Sequence, residues 1–155
     1  MSTDATAPLT TRPCVLGDAD FIFSLMEKTM REYVSATYGP WDRESQRERF
    51  NQRFVPSDIR ILRLDERDIG ILRVEERDGM LFLANLQILP ELQRRGLGAA
   101  AVRIFLADAH RRGLGAWLQV LRVNPARRFY ERLGFRVFRE TETHFLMRFS
   151  KEPAA

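Results

Sequence analysis

Gly96 and Gly98, one residue apart, sit between an apolar stretch and a long alanine-rich one, and that position gives them a chemical use. The apolar stretch reads as a strand over residues 81–89; Pro90 breaks it, and a helical pattern starts near Gly96. A strand that runs into a helix through a glycine turn leaves backbone N–H groups unpaired at the helix start. With the positive end of the helix dipole, those donors make a seat for an anion, and phosphate is the natural occupant. The same two glycines also suit a tight turn with close packing of helix on strand, so the spacing alone leaves both uses open. Two familiar phosphate loops fit worse. No Gly-Lys-Ser/Thr follows, and the residues around Arg103 supply no third glycine for Gly-x-Gly-x-x-Gly.

The other reactive candidate is a phenol. Tyr130 stands in a short helix that Asn124 can cap and Pro125 can open, ending near Leu133 at Gly134. As a plain helix aromatic it packs beside Phe129 or Leu133. As a chemical group, a phenol titrating near 10 can donate a proton or a hydrogen bond to a developing anion.

The elements that must position these groups follow from periodicity. Residues 11–16 read as a first strand ended by Gly17, and Asp18 stands at a helix N-cap position. Residues 19–36 place Phe21, Leu25, Met26, Met30, Tyr33 and Val34 at helical spacing, and the Tyr38-Gly39-Pro40-Trp41 run ends that helix. Asp42 can cap a second helix to about Arg53, with a solvated face of alternating charge and Phe50 and Phe54 turned to the core. Residues 59–64 and 69–76 read as strands, and Asp78-Gly79 is a hairpin turn into the strand at 81. The alanine-rich helix, apolar enough to be covered on most sides, ends in His110-Arg111-Arg112 before Gly113, which suits its negative dipole end. Residues 116–121 form the next strand, and strand, helix, strand calls for a right-handed crossover with parallel pairing. Residues 135–140 and 144–150 form a closing hairpin.

Composition removes several function classes. At 155 residues one domain is expected, spanning 11–150 between tails at 1–10 and 151–155. The one cysteine, Cys14, cannot form an internal disulfide and reads as a buried thiol; with two histidines and no cysteine partner, no metal site is expected. The first eleven residues hold no apolar core of signal-peptide length, and no stretch reaches the roughly 20 apolar residues of a membrane helix, so a soluble, cytoplasmic protein is expected. The net charge of +4 is spread through the chain rather than gathered on a basic face, which argues against a nucleic-acid partner.

The run Gln93-Arg94-Arg95-Gly96-Leu97-Gly98-Ala99 resembles the acyl-CoA pyrophosphate loop of the GNAT N-acetyltransferases, and the run from Asn124 to Phe135 resembles that family's second signature. The two stand in the family's order and separation and cover the chain from Leu81 to Phe135. From Asn124 to Ala126 the spacing is one residue short of the family pattern; from Ala126 to Tyr130 it agrees. The resemblance implies an α/β (α+β) fold: a mixed, mostly antiparallel twisted sheet of about seven strands with about four helices, and parallel pairing of the fourth and fifth strands. It implies acetyl-CoA as co-substrate, transfer of acetyl to a primary amine of a small molecule or peptide, and Tyr130 as general acid to the thiolate.

The main chain at Leu86, Gln87 and Ile88 would hold the pantetheine arm. Gln93, Arg94, Arg95, Gly96, Leu97, Gly98 and Ala99 would hold the pyrophosphate, and Asn124 the amides. Arg127 serves either the outer phosphate or only the solvated face of its helix. By the same analogy Tyr33, Tyr38, Trp41, Asn85 and His144 would line the acceptor site, and a monomer or homodimer is expected. The family often carries a carboxylate on the fourth strand as base, but here that face shows Asn85 and Gln87. The proton therefore goes to Glu75, Glu76 or Glu32 through water, or the amine has a low pKa. Two other readings remain: a non-catalytic acyl-CoA sensor on the same fold, and a basic RNA-associated protein.

Overall fold

The structure is a computed structural model, and it describes residues 8–150. Its elements are β1 (Thr10–Pro13), α1 (Ala19–Tyr38), α2 (Arg43–Arg53), β2 (Ile59–Leu64), β3 (Arg67–Arg77), β4 (Met80–Ile88), α3 (Leu97–Arg112), β5 (Gly115–Leu121), α4 (Ala126–Arg132), β6 (Phe135–Glu140) and β7 (His144–Phe149). The strands form one seven-stranded sheet in the order β1-β2-β3-β4-β5-β7-β6, parallel only where β4 meets β5. The mixed sheet, the helices and the parallel fourth-fifth pair agree with expectation. Of the expected tails, only residues 8–10 lie within the described residues, and Thr10 already belongs to β1.

Alternation along β3 divides the molecule into layers. Ile71, Arg73, Glu75 and Arg77 face a groove beneath α1 and α2, while Glu76 turns to the opposite face and pairs with Arg112 of α3. On that second face α3 buries Leu97, Ala101, Val102, Phe105 and Ala109, one stripe at helical spacing, and leaves Arg103 and Ala107 exposed. The sequence predicts coverage of most sides; alanines on the outer face need no cover, so one packed stripe suffices. The core between the layers holds Ile61, Leu62, Ile69, Phe105, Leu118, Phe135 and Met147, each at most 1% exposed.

Local chemistry explains the turns. Asp78 and Gly79 both take left-handed backbone, with φ of 53° and 75°, as a two-residue hairpin turn requires. Asp65 and Glu66 do the same between β2 and β3, without a glycine to signal it.

Asp18 departs from expectation. It makes no side-chain cap bond to α1; its carboxylate accepts from the Val15 N–H at 2.8 Å and from Arg12, whose guanidinium also pairs with Asp68 of β3 at 2.8 Å. β1 ends at Pro13, and the expected strand residues Val15 and Leu16 are exposed in the bend that this cluster shapes. A guanidinium bridging two carboxylates outbids a cap, since charge-assisted bonds are the stronger kind.

The cluster predicts a pH dependence. Bonds from Arg12 hold Asp18 and Asp68 below the usual carboxylate range. A carboxylate depressed on folding stabilises fully above its unfolded pKa, near 4, and that contribution is lost as pH falls through the lower folded value. After allowance for solvent screening of partly exposed groups, Arg12→Ala should cost about 1–2 kcal/mol at pH 7. The variant's urea midpoint should also fall less steeply than the parent's below pH 4. Parallel midpoint-against-pH curves would show that the cluster contributes nothing.

Candidate active site

Near its middle the sheet comes apart between β4 and β5. The parallel pairing runs from Met80 opposite Gly115 to Leu83 opposite Leu118 and stops, although β4 continues to Ile88 and β5 to Leu121. At the same level β4 slips against β3: Arg73 faces Asn85 and Val74 faces Leu83, so Ala84 is an extra residue. An extra residue bends and twists its strand, and here it carries β4 away from β5. The β5-facing main chain of β4 beyond Leu83, including Leu86 and Gln87, therefore has no strand partner. Gln87 itself is only 6% exposed, and its Oε1 is sealed off without a hydrogen bond.

The glycine loop closes one end of this cleft. Gln93 donates from Nε2 to the Ile88 carbonyl at 3.0 Å, tying the loop to the end of β4. Arg94 and Gly96 take left-handed backbone, φ 65° and 81°, and α3's own hydrogen bonding starts only with Ala100 N–H to the Gly96 carbonyl at 3.1 Å. The N–H groups of Gly96, Leu97, Gly98 and Ala99 thus lack an acceptor among the described residues, and no side chain caps them. Arg94 and Arg95 are exposed and make no ion pair there.

Tyr130 reaches this loop through one ring. A Cβ on Gly98 would lie 3.3 Å from Phe129, and Phe129 meets Tyr130 edge-on with centroids 5.0 Å apart. Phe135 holds the other side of the phenol ring at 5.8 Å. The ring is half-buried, and its hydroxyl makes no hydrogen bond within the described residues yet is not sealed from solvent. Its crowded surroundings push the phenol well above the ordinary tyrosine value, because burial disfavours phenolate.

Two neighbours already have structural tasks. Asn124 Oδ1 accepts from the Ala126 N–H at 2.9 Å and so caps α4. Arg127 lies over the Phe145 ring at 4.4 Å and pairs with Glu131 at 3.3 Å.

On the opposite face, under α1 and α2, lies a groove of about 760 Å³. Its floor carries Arg73, Glu75 and Arg77 of β3, Phe82, Ala84 and Asn85 of β4, and Gln119 of β5. Alternation from Phe82 would turn Asn85 to the other face; the Ala84 bulge resets the phase and brings it back. Tyr38 and Trp41 stand on the wall, with Trp41 Nε1 donating to Glu27 at 3.0 Å. Tyr33 and His144 do not line this groove; His144 bonds Thr143 Oγ1 at 2.8 Å, and burial lowers its pKa. Of the three candidate carboxylates only Glu75 faces in, half-buried between Arg73 at 3.0 Å and Arg77 at 2.7 Å. Glu32 lies in a depression on the outer side of α1. Sequence reasoning does not single out Arg73, Arg77, Gln119 and the wall arginines Arg49 and Arg53, though the two-residue spacing of Arg73, Glu75 and Arg77 puts them on one face.

The sequence profile of the acetyltransferase (GNAT) family matches residues 26–135, well over half of the chain. The chain belongs to the GNAT acetyltransferase family. Among curated proteins none matches significantly. Solved structures of the GNAT fold do. An acetyltransferase from Thermus thermophilus superposes with a TM-score of 0.72 at 22% identity, covering 92% of this chain and 96% of its own. The PaiA N-acetyltransferase from Thermoplasma acidophilum, in complex with coenzyme A, gives 0.70 at 19% identity, covering 91% and 98%. The ribosomal-protein-S18-alanine N-acetyltransferase from Escherichia coli gives 0.65 at 19%, covering 95% and 96%. Among the described residues no His/Cys/Asp/Glu cluster could hold a metal, and no helix is long and apolar enough to cross a membrane.

Proposed function

We propose that this GNAT protein is an acetyl-CoA-dependent N-acetyltransferase that passes an acetyl group to a primary amine by direct attack, and that it acts in the cytoplasm. One arrangement carries the reading: a sheet opened between β4 and β5, closed at one end by unpaired N–H groups, with the Tyr130 phenol one ring away. These residues fit the coenzyme. The free edge at Leu86 to Ile88 suits a strand-like arm with its own amides. The N–H groups at Gly96 to Ala99 suit a diphosphate, and Arg94, Arg95 and Arg127 suit its outer charges. Asn124 has its amide nitrogen left for the arm, since its oxygen caps α4.

Acetyl-CoA supplies an acetyl group activated as a thioester. The protein's own part is to align and to handle protons. Tyr130 holds its proton throughout neutral pH and donates a hydrogen bond to the departing sulfur. An alkylamine is only about one part in a thousand neutral at pH 7, so a proton must also be removed. Glu75 is the groove carboxylate we assign to take it, through water, with Asn85 and Gln119 fixing the amine by hydrogen bonds.

Acetyl-CoA at about 100 times its Kd should stabilise the fold by about 2.7 kcal/mol and raise Tm by roughly 5–10 °C. Thiol release in the presence of amines should accompany it. An unmoved Tm at millimolar acetyl-CoA sinks the reading. The missing carboxylate on β4 favours one second reading, a coenzyme sensor: the same Tm rise, with no thiol released across a broad amine panel.

A further inference from the structure

The groove is short of negative charge. Four arginines line it, Arg49, Arg53, Arg73 and Arg77, against two carboxylates, Asp42 and Glu75. Asp42 is taken up by the Ser45 hydroxyl at 2.6 Å, at the start of α2. Glu75 is shared by Arg73 and Arg77. Arg49 and Arg53, one turn apart on α2, make no ion pair, side-chain hydrogen bond or ring contact among the described residues. Arg73 connects them to the floor: it donates to the Arg53 carbonyl at 3.4 Å, and its Nε is buried with no acceptor. The result is a cationic corner where the end of α2 meets β3, beside the Glu75 carboxylate and the Asn85 and Gln119 amides of the strand floor.

Unpaired guanidinium groups around a cavity of ligand size make a receptor for a carboxylate, which they can hold in a two-pronged grip. Resting on the acetyltransferase reading, we propose that the acceptor is a small primary amine that itself carries a carboxylate. Arg49 and Arg53 bind the carboxylate, and the amine points to Glu75, Asn85 and Gln119 on the strand floor. The anion faces the unpaired arginines of α2, and the amine faces Glu75, the floor carboxylate that Arg73 and Arg77 hold in place. A polyamine would bring a second positive charge to the cationic corner, so the same groove selects against it.

The arriving ammonium gives one proton to Glu75 through water, the freed amine nitrogen bonds the acetyl carbon, the carbon–sulfur bond breaks with its electron pair leaving on sulfur, and the second nitrogen proton passes to that thiolate, which departs as the coenzyme thiol.

The test compares β-alanine with propylamine, β-alaninamide and 1,3-diaminopropane, by kcat/KM and by calorimetric titration into protein saturated with coenzyme A. β-Alanine should exceed the two monoamines that lack a carboxylate by about tenfold or more and the diamine by more still. Its advantage should shrink as salt is raised. The paired substitution Arg49→Gln and Arg53→Gln, on an exposed helix face that glutamine suits, should lower the rate with β-alanine by about tenfold or more and leave propylamine, β-alaninamide and the acetyl-CoA KM within about twofold. Equal rates and equal binding across the panel, a preference for the diamine, or an equal loss for all amines in the double variant overturns the proposal. If acetyl-CoA binds and is turned over while charge makes no difference, only this inference fails; if acetyl-CoA does not bind at all, the parent reading fails with it. A peptide source is told apart by the same assay, since a peptide with an acidic second residue would then outrun β-alanine and overturn the assignment of a small acceptor.

Discussion

Tyr130→Phe should lower kcat about 100-fold while the acetyl-CoA KM stays within about twofold, the pattern of a donor needed only as charge develops. The phenol hydroxyl makes no hydrogen bond within the described residues, and the ring keeps its contacts with Phe129 and Phe135. Removing it therefore costs folding less than about 0.5 kcal/mol, and an unchanged urea midpoint would show that the loss is chemical. An ordinary phenol is already a weaker acid than a thiol, and burial moves Tyr130 further in that direction. Full proton transfer from so weak an acid to a thiolate with a reference value near 8.5 runs uphill, so on the proposed mechanism the hydroxyl would act on the sulfur as a hydrogen-bond donor. The rate should then show no decline from tyrosine ionisation up to about pH 10, because the raised group is still protonated there. A Phe variant with the parent's kcat against a competent amine would remove Tyr130 from the mechanism.

What could be read in advance depended on how local the signal was. The glycine loop, the Asp78-Gly79 turn and the α3 stripe are stated within a few adjacent residues, and each appears within a residue or two of its expected place. The Ala84 bulge has no such signal. It is a relation between β3 and β4, and it decides both where the sheet opens and which way Asn85 points. The Arg12, Asp18 and Asp68 cluster joins residues up to 56 apart, so local spacing offered only the cap reading of Asp18. The groove's cationic corner is built in the same way, from α2 and β3, whose arginines look like ordinary surface charge until the two are packed together. Asn124 has a second task that was local and legible, since its cap bond goes to Ala126 two residues on, whereas Trp41 is held by Glu27, 14 residues away on α1, and spacing gave no sign of it. Short-range pattern thus reached the glycine loop with its unpaired N–H groups, and only tertiary register reached the groove under α1 and α2.

Gly96→Asp should raise the acetyl-CoA KM on the order of 100-fold, and the comparison that gives this meaning is Gly96→Asn. Gly96 holds φ at 81°, and nothing lies within 4 Å of the position its Cβ would take. Any side chain there meets backbone strain but no clash, and Asn and Asp are the residues that tolerate left-handed backbone best after glycine. Both variants should lose about 1 kcal/mol of stability from that strain alone. They have the same shape, so the difference between them is one negative charge set beside the unpaired N–H groups. Against a doubly charged diphosphate roughly 5 Å away, at an effective dielectric constant of about 40, that charge repels by about 3 kcal/mol. The Asn variant should bind within a few-fold of the parent, and the Asp-to-Asn ratio should shrink toward unity as salt shortens the Debye length. Equal affinities in low salt would mean that no phosphate charge lies near Gly96. The free N–H groups at the head of α3 would then be answered by water, and the coenzyme would have to enter the opened sheet from some other side.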